Sequence, residues 1–219
     1  GVYINVNSKM DIIQAMAHSG VYCNNLLIEE YVHGINYRLL FYKNKFLSCC
    51  ARIPSYVVGD GVSTIFQLIE QENQYRLKQG DIKEYSVKSR PILFEIIPDK
   101  EMKKYIARQG MDMNSVPDEG HNIQLQSVCH WLKGGEYMDV TDSVSPKIIS
   151  IAKRVVQFIG VKLAGVDVIA EDITNGDKNF VVNEVNTTPG LLVHYEVQNQ
   201  EKNRNVAFHI LSDLFQLNV

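Results

Sequence analysis

Residues 162–186, KLAGVDVIAEDITNGDKNFVVNEVN, decide the fold. Two apolar runs, Lys162 to Asp172 and Lys178 to Asn186, flank Thr174-Asn175-Gly176-Asp177. Asn-Gly is the strongest short hairpin signal, because a two-residue type I′ turn needs positive φ at both central positions. The expectation is an antiparallel hairpin closed by Asn175-Gly176. If Thr174 pairs with Asp177, Asp167 stands opposite Glu184, and Asn186 lies on the same face two residues on. Gly165 then faces Asn186 and leaves space above it.

Facing carboxylates repel each other unless something neutralises them. A divalent cation would do so. Two carboxylates and an amide oxygen, without sulfur or imidazole, suit a hard ion that keeps water and phosphate oxygens as its other ligands, as Mg²⁺ does with a nucleotide. The plain alternative is an exposed strand pair whose acids face solvent. The segment Asn186-Thr187-Thr188-Pro189-Gly190 then ends the strand in a hydroxyl-lined turn, whose backbone N–H groups suit an anionic substrate. An ordinary strand-to-helix loop reads the same way.

Outward from this pair, Ser145-Pro146 opens a helix with Ile148, Ile149, Ile151, Ala152, Val155, Val156 and Ile159 on a broad apolar face and Gly160 as its stop. The stretch 36–54, NYRLLFYKNKFLSCCARIP, reads as a second hairpin around Lys43-Asn44-Lys45, ended by Pro54. Leu26 to Tyr31 reads as a buried strand, and Ser8 with Asp11 caps a helix ending near Ser19-Gly20. Val57-Val58-Gly59-Asp60-Gly61 is turn chemistry, and Ser63 caps a helix from Thr64 to Gln74. Residues 75–120 read as a surface excursion holding one helix, Asp99 to Gln109, stopped by Gly110. A last helix runs from Asn205 to Leu217. The pattern is α+β, with antiparallel hairpins packed against helices. GxGxxG and GxxxxGK[ST] are absent, so a nucleotide would have to be held by other means.

Composition narrows the class. The chain has 219 residues, 45% hydrophobic and 21% charged, with a formal net charge of -3, as in ordinary globular proteins of one large domain or one domain and a piece of another. No run reaches the roughly 18 apolar residues of a membrane span, and no signal peptide is recognisable, so the expected home is cytoplasmic. The 22 basic and 25 acidic residues are scattered, which argues against nucleic-acid or membrane partners. Cys23, Cys49, Cys50 and Cys129 lack CxxC spacing and read as reduced, buried thiols. The histidines form no HExxH or HxH pair, which argues against a histidine-rich metal centre.

At this point the residues carry a resemblance. Gly165-Val-Asp167 followed by Glu184-Val-Asn186-Thr-Thr-Pro-Gly190 resembles the metal-binding end of the ATP-grasp superfamily of carboxylate-amine ligases. Leu27-Ile-Glu29-Glu30-Tyr31-Val32-His33-Gly34 resembles its adenine-side strand and hinge. Tyr37-Arg38, Ala51-Arg52-Ile-Pro54, Val57 to Gly61, Gly134-Gly135 with Asp139 to Asp142, and Pro189 to His194 are similar to the cyanophycin synthetases. The ATP-grasp domain of bifunctional glutathione synthetases is nearly as similar. The resemblance covers essentially the whole chain.

It implies ATP and Mg²⁺ as cofactors, with Asp167, Glu184 and Asn186 as metal ligands and Arg52 as the catalytic phosphate-contacting arginine. Glu29, Glu30, Val32, Asn36 and Arg38 would bind the nucleotide, and Thr187, Thr188, Gly190 and His194 the substrate, an amino acid or peptide. It further implies an amide-forming ligase acting through an acyl phosphate, with residues 1–32 a remnant of the central lobe and 33–219 the C-terminal lobe. On this reading the chain is a C-terminal fragment, inactive alone, with Gly1-Val2 the end of the loop that covers the phosphates. Relatives are often oligomers, which leaves a homo-oligomer open. Two departures stand out: Asn36 replaces the usual ribose-binding acid, and His130-Trp-Leu-Lys133-Gly-Gly135 replaces an Asn-aliphatic-Ser-Thr-Gly-Gly loop. They keep a second reading open, an ATP-binding module without ligase activity, beside a glutathione synthetase-type peptide ligase.

Overall fold

The computed structural model describes Val6 and residues 8–22, 25–79, 93–199 and 204–216. Gly1-Val2, Cys23, Leu217 and the stretch 80–92 of the expected excursion lie outside the described residues. The chain divides into two compact units, Gly1–His33 and Gly34–Val219.

In the first unit, helix α1 (Lys9–Ser19) starts at a capping box: the Asp11 N–H donates to Ser8 Oγ at 3.1 Å, and the Ser8 N–H donates to Asp11 Oδ2 at 3.0 Å. None of its residues is buried. Leu26 to Tyr31 forms no strand, and Leu27 and Ile28 are 82% and 85% exposed. An extended segment joins a sheet only when a neighbour takes up its backbone groups, and no other extended run is described in this unit.

The second unit is built on an antiparallel sheet in the order β5-β2-β1-β6-β7, from β1 (Ile35–Tyr42), β2 (Lys45–Ile53), β5 (Glu136–Asp139), β6 (Leu163–Ala170) and β7 (Phe180–Asn186). Alternation sends Tyr37, Leu39, Phe41, Cys49, Ala51, Ala164, Val166 and Val168 to one face. There they meet Ile148, Ala152 and Val156 of α4 (Pro146–Ile159), whose left-handed cap is Gly160 at φ 77°. The other face carries the polar residues described below.

A second core lies between the ribbon β3 (Tyr56–Val58) with β4 (Asn122–Gln124) and the helices α2 (Ile65–Gln79) and α3 (Lys100–Arg108). Ile65, Ile69, Ile96, Met102, Ile106, Ile123 and Leu125 are fully buried there, so the described part of 75–120 carries packed side chains of its own. Arg76 joins this core to the sheet. Its guanidinium binds Glu72 at 2.8 Å, the Phe94 and Gly134 carbonyls at 3.0 Å each, and the carboxylate of Glu136 on β5. Gly134, at φ 82°, lies where a Cβ would come within 2.5 Å of Ile96, so glycine is required there. The final helix α5 (Val206–Leu214) buries Val206 and Ile210. No described helix is long and apolar enough to cross a membrane.

The α+β expectation agrees with this sheet, and the hairpin expected around Lys43-Asn44-Lys45 is present, but the turn expected at Asn175-Gly176 is not. The two-residue positive-φ turn is Lys43-Asn44, at φ 47° and 62°, whereas residues 171–179 make a longer connection in which Gly176 is not left-handed. At Gly176 a Cβ would come within 2.6 Å of Ser145 Oγ and 2.7 Å of Lys147 Cβ, so this glycine serves packing against the start of α4. The Asp167–Glu184 register survives because β7 bulges. Ala170 pairs with Phe180 and Val168 with Val182, then Asn183 is skipped and Asp167 faces Glu184.

Candidate phosphate- and metal-binding face

The sheet face away from α4 gathers five polar side chains from four strands. Asp167 on β6 faces Glu184 on β7, and Gly165 faces Asn186. On the other side of β6, Arg38 of β1 pairs with Asp167. Arg38 therefore points at the carboxylate from the adjacent strand: Nη2 donates to Oδ2 at 2.9 Å, and Nε donates to Oδ1. Arg52 on β2 reaches across Asn36 and donates to the same Oδ2 at 3.3 Å. Hydrogen bonding orients the Asn186 amide so that its nitrogen donates to Glu184 Oε1 at 3.2 Å and its oxygen accepts from Arg38 Nη2 at 3.2 Å.

Burial differs sharply across this cluster. The Asp167 side chain is 3% exposed, while Glu184 is open to solvent. Burial works against the Arg38 charge, but its bond to Asp167 and the nearby Glu184 charge prevail, and its pKa is raised above the ordinary arginine value. The space expected above Gly165 is filled. A Cβ there would lie 2.8 Å from both Arg38 Cδ and Pro189 Cβ, so the glycine lets the arginine stem and the turn close over β6. In that turn Thr187, Thr188 and Gly190 are exposed and Pro189 is buried.

His194 lies on a 3-10 turn, Leu192–His194, with no exposed surface, and its Nδ1 is 3.0 Å from the Ser48 hydroxyl. Burial, aided by the Arg38 charge, lowers its pKa to about 4. The ring is therefore neutral when folded and ionises at ~6.5 when unfolded. Between these values the unfolded chain binds the additional proton, so stability falls as pH drops from ~6.5 towards 4, at a rate on the order of 1 kcal/mol per pH unit. Urea denaturation of wild type and His194→Gln across pH 4–7 should show this loss in wild type and a smaller one in the variant.

Of the remaining expected site residues, Glu29, Glu30 and Val32 belong to the first unit, with both acids exposed and Val32 partly so. Asn36 neighbours Arg52 in register, and its Oδ1 is buried without a hydrogen-bond partner. Lys133, in the variant loop, pairs with Asp99 at 2.7 Å. Ser48 escaped sequence reasoning, because its pairing with His194 joins residues that are adjacent only in the fold. Cys49 and Cys50 are buried free thiols, and Cys129 is a partly exposed one. Among the described residues no three His, Cys, Asp or Glu side chains are grouped to hold a metal, so any ion here would rest on Asp167, Glu184 and the Asn186 amide. A groove of about 330 Å³ lies elsewhere, lined by Tyr56, Leu68, Gln71, Glu72 and Glu136.

No family model matches the chain. Over 98% of its length it is 32% identical to a cyanophycin synthetase of Geminocystis herdmanii, of which it spans 24%. It is 30% identical, over 87% of its length, to the bifunctional glutathione biosynthesis protein of Streptococcus agalactiae, of which it spans 25%. The crystal structure of a bifunctional glutathione synthetase from Pasteurella multocida superposes on 85% of the chain with a TM-score of 0.63 at 24% identity, and the match covers 24% of that protein. The chain thus spans about a quarter of the length of the curated relatives it matches. It is similar in sequence to cyanophycin synthetases and to bifunctional glutathione biosynthesis proteins, and it shares its α+β fold with the glutathione synthetase of Pasteurella multocida.

Proposed function

We propose that the chain is part of an ATP-dependent carboxylate-amine ligase, resembling cyanophycin synthetase, whose substrates are amino acids or peptides. One observation carries the reading: Asp167, Glu184 and Asn186 share one face with Arg38 and Arg52, and Glu184 is open to solvent. The donor set is all oxygen and suits Mg²⁺. When bound, Mg²⁺ supplies charge neutralisation for the polyphosphate of ATP, held by Asp167, Glu184 and the Asn186 amide.

The chain's own residues do the rest by placement and charge. Arg52 offsets phosphate charge, and the exposed Thr187 to Gly190 turn offers hydroxyl and N–H donors to a substrate carboxylate. Asn36, beside Arg52 in register, contributes to the nucleotide site. The substrate carboxylate attacks the γ-phosphorus, giving an acyl phosphate and ADP, and an amine then displaces phosphate to leave an amide. The homology to a glutathione biosynthesis protein supports a peptide ligase as a close variant of this reading.

Asn36 and the His130 to Lys133 loop, both departures from the family pattern, favour as a second reading a nucleotide-binding module that does not ligate, and Lys133 is taken up by Asp99. ATP turnover by the full-length protein separates these. Phosphate release that requires both an amino-acid acceptor and a carboxylate donor supports the ligase. Nucleotide binding without turnover supports the module, and turnover indifferent to any amine points to a phosphohydrolase.

A further inference from the structure

Arg38 and Arg52 both reach Asp167, but the fold holds them differently. Arg38 bonds both oxygens of the carboxylate, shares Nη2 with the Asn186 amide oxygen, and threads its stem through the gap between Gly165 and Pro189. Its side chain is 13% exposed. Arg52 makes a single contact at 3.3 Å, and its side chain is 28% exposed.

We infer that Arg38 is a positioning residue, a resident cation that fixes the Asp167 carboxylate and the Asn186 amide in their facing arrangement before any divalent ion arrives, while Arg52 is the arginine left to meet an anionic ligand. The inference rests on the Mg²⁺-nucleotide reading. A two-point arginine bond sets the plane of a carboxylate as well as neutralising it. Releasing Arg38 would leave Asp167 buried with one long contact, whereas re-aiming Arg52 gives up only that contact. Coulomb's law alone predicts that removing a cation beside a metal site strengthens metal binding. Loss of a group that orients a metal ligand acts in the opposite sense and weakens binding by about 10–100-fold.

The sign of the effect therefore decides the matter. Mn²⁺, a paramagnetic stand-in for Mg²⁺, is titrated with and without ADP into wild type, Arg38→Gln, Arg52→Gln and Gly165→Ala, and free Mn²⁺ is read by electron paramagnetic resonance. Arg38→Gln should bind Mn²⁺ alone about tenfold more weakly. Arg52→Gln should lose ADP affinity more than Mn²⁺ affinity. Gly165→Ala keeps both charges but brings a Cβ to 2.8 Å from Arg38 Cδ, so it should reproduce the Mn²⁺ loss, and it decides the question if Arg38→Gln fails to fold. Tighter Mn²⁺ binding by Arg38→Gln, or unchanged binding by Gly165→Ala, overturns the positioning role while leaving the nucleotide site intact. A wild type that binds neither Mn²⁺ nor ADP overturns the nucleotide reading and this inference together.

Discussion

Asp167→Ala should lower the stability of the folded chain by about 3–5 kcal/mol, the cost of breaking a buried ion pair by removing one partner. The Asp167 side chain is 3% exposed and receives three hydrogen bonds from two arginines. Removing the carboxylate leaves the Arg38 guanidinium, itself 13% exposed, without its main counter-charge. Asp167→Asn keeps one acceptor oxygen and should fall between wild type and alanine. Glu184→Ala, at an exposed position, should change stability by no more than about 0.5 kcal/mol. Urea midpoints compared at constant m-value measure all three. A loss under about 1 kcal/mol for Asp167→Ala would mean that solvent screens the arginine contacts and that the cluster is not buried as described. Asp167 thus combines a structural with a candidate ligand role, and Glu184 is the better probe of binding.

Arg76→Ala should be comparably damaging, at about 3–5 kcal/mol, although nothing connects Arg76 with ligand binding. The residue is 2% exposed and holds two carboxylates and two backbone carbonyls. Without it, Glu136 stays largely buried beside Glu72 with no cation, and the carbonyls of Phe94 and Gly134 lose a donor. Burial already raises the Glu136 pKa, with the Glu72 charge adding to the rise and Arg76 opposing it. In the variant Glu136 should take up a proton more readily, so part of the loss should return as pH falls. Thermal unfolding at pH 5 and pH 8 tests this: a wider gap from wild type at pH 8 is expected, and an equal gap at both would mean that the Glu136 charge contributes nothing.

How far the sequence foretells this structure varies by element. Helix α4 was legible because its apolar period, Pro146 at the start and Gly160 at the end all agree. The Asp167–Glu184 pairing was legible too, but through compensation: the tight turn expected at Asn175-Gly176 is absent, and the bulge at Asn183 restores the register near the site. Asn175-Gly176 has the residues of a hairpin turn, yet Gly176 is needed against Ser145 and Lys147, and tertiary packing overrides the local preference. Leu26 to Tyr31 has the apolar content of a strand, but content does not supply the neighbour that a strand needs. The arginines' hold on Asp167 could not be read in advance. It depends on β1 lying between β2 and β6, which joins Arg38 to a residue 129 positions away.

A Mg²⁺-dependent nucleotide site on this sheet face should register in thermal unfolding with ADP, with and without Mg²⁺, in wild type and Glu184→Ala. A ligand that binds only the folded state raises the midpoint, and Glu184→Ala removes a candidate ligand at an exposed position while keeping both Arg38 and Asp167. Wild type should show a rise that requires Mg²⁺, and Glu184→Ala should lose it. A rise that is independent of Mg²⁺, or equal in the variant, would contradict such a site.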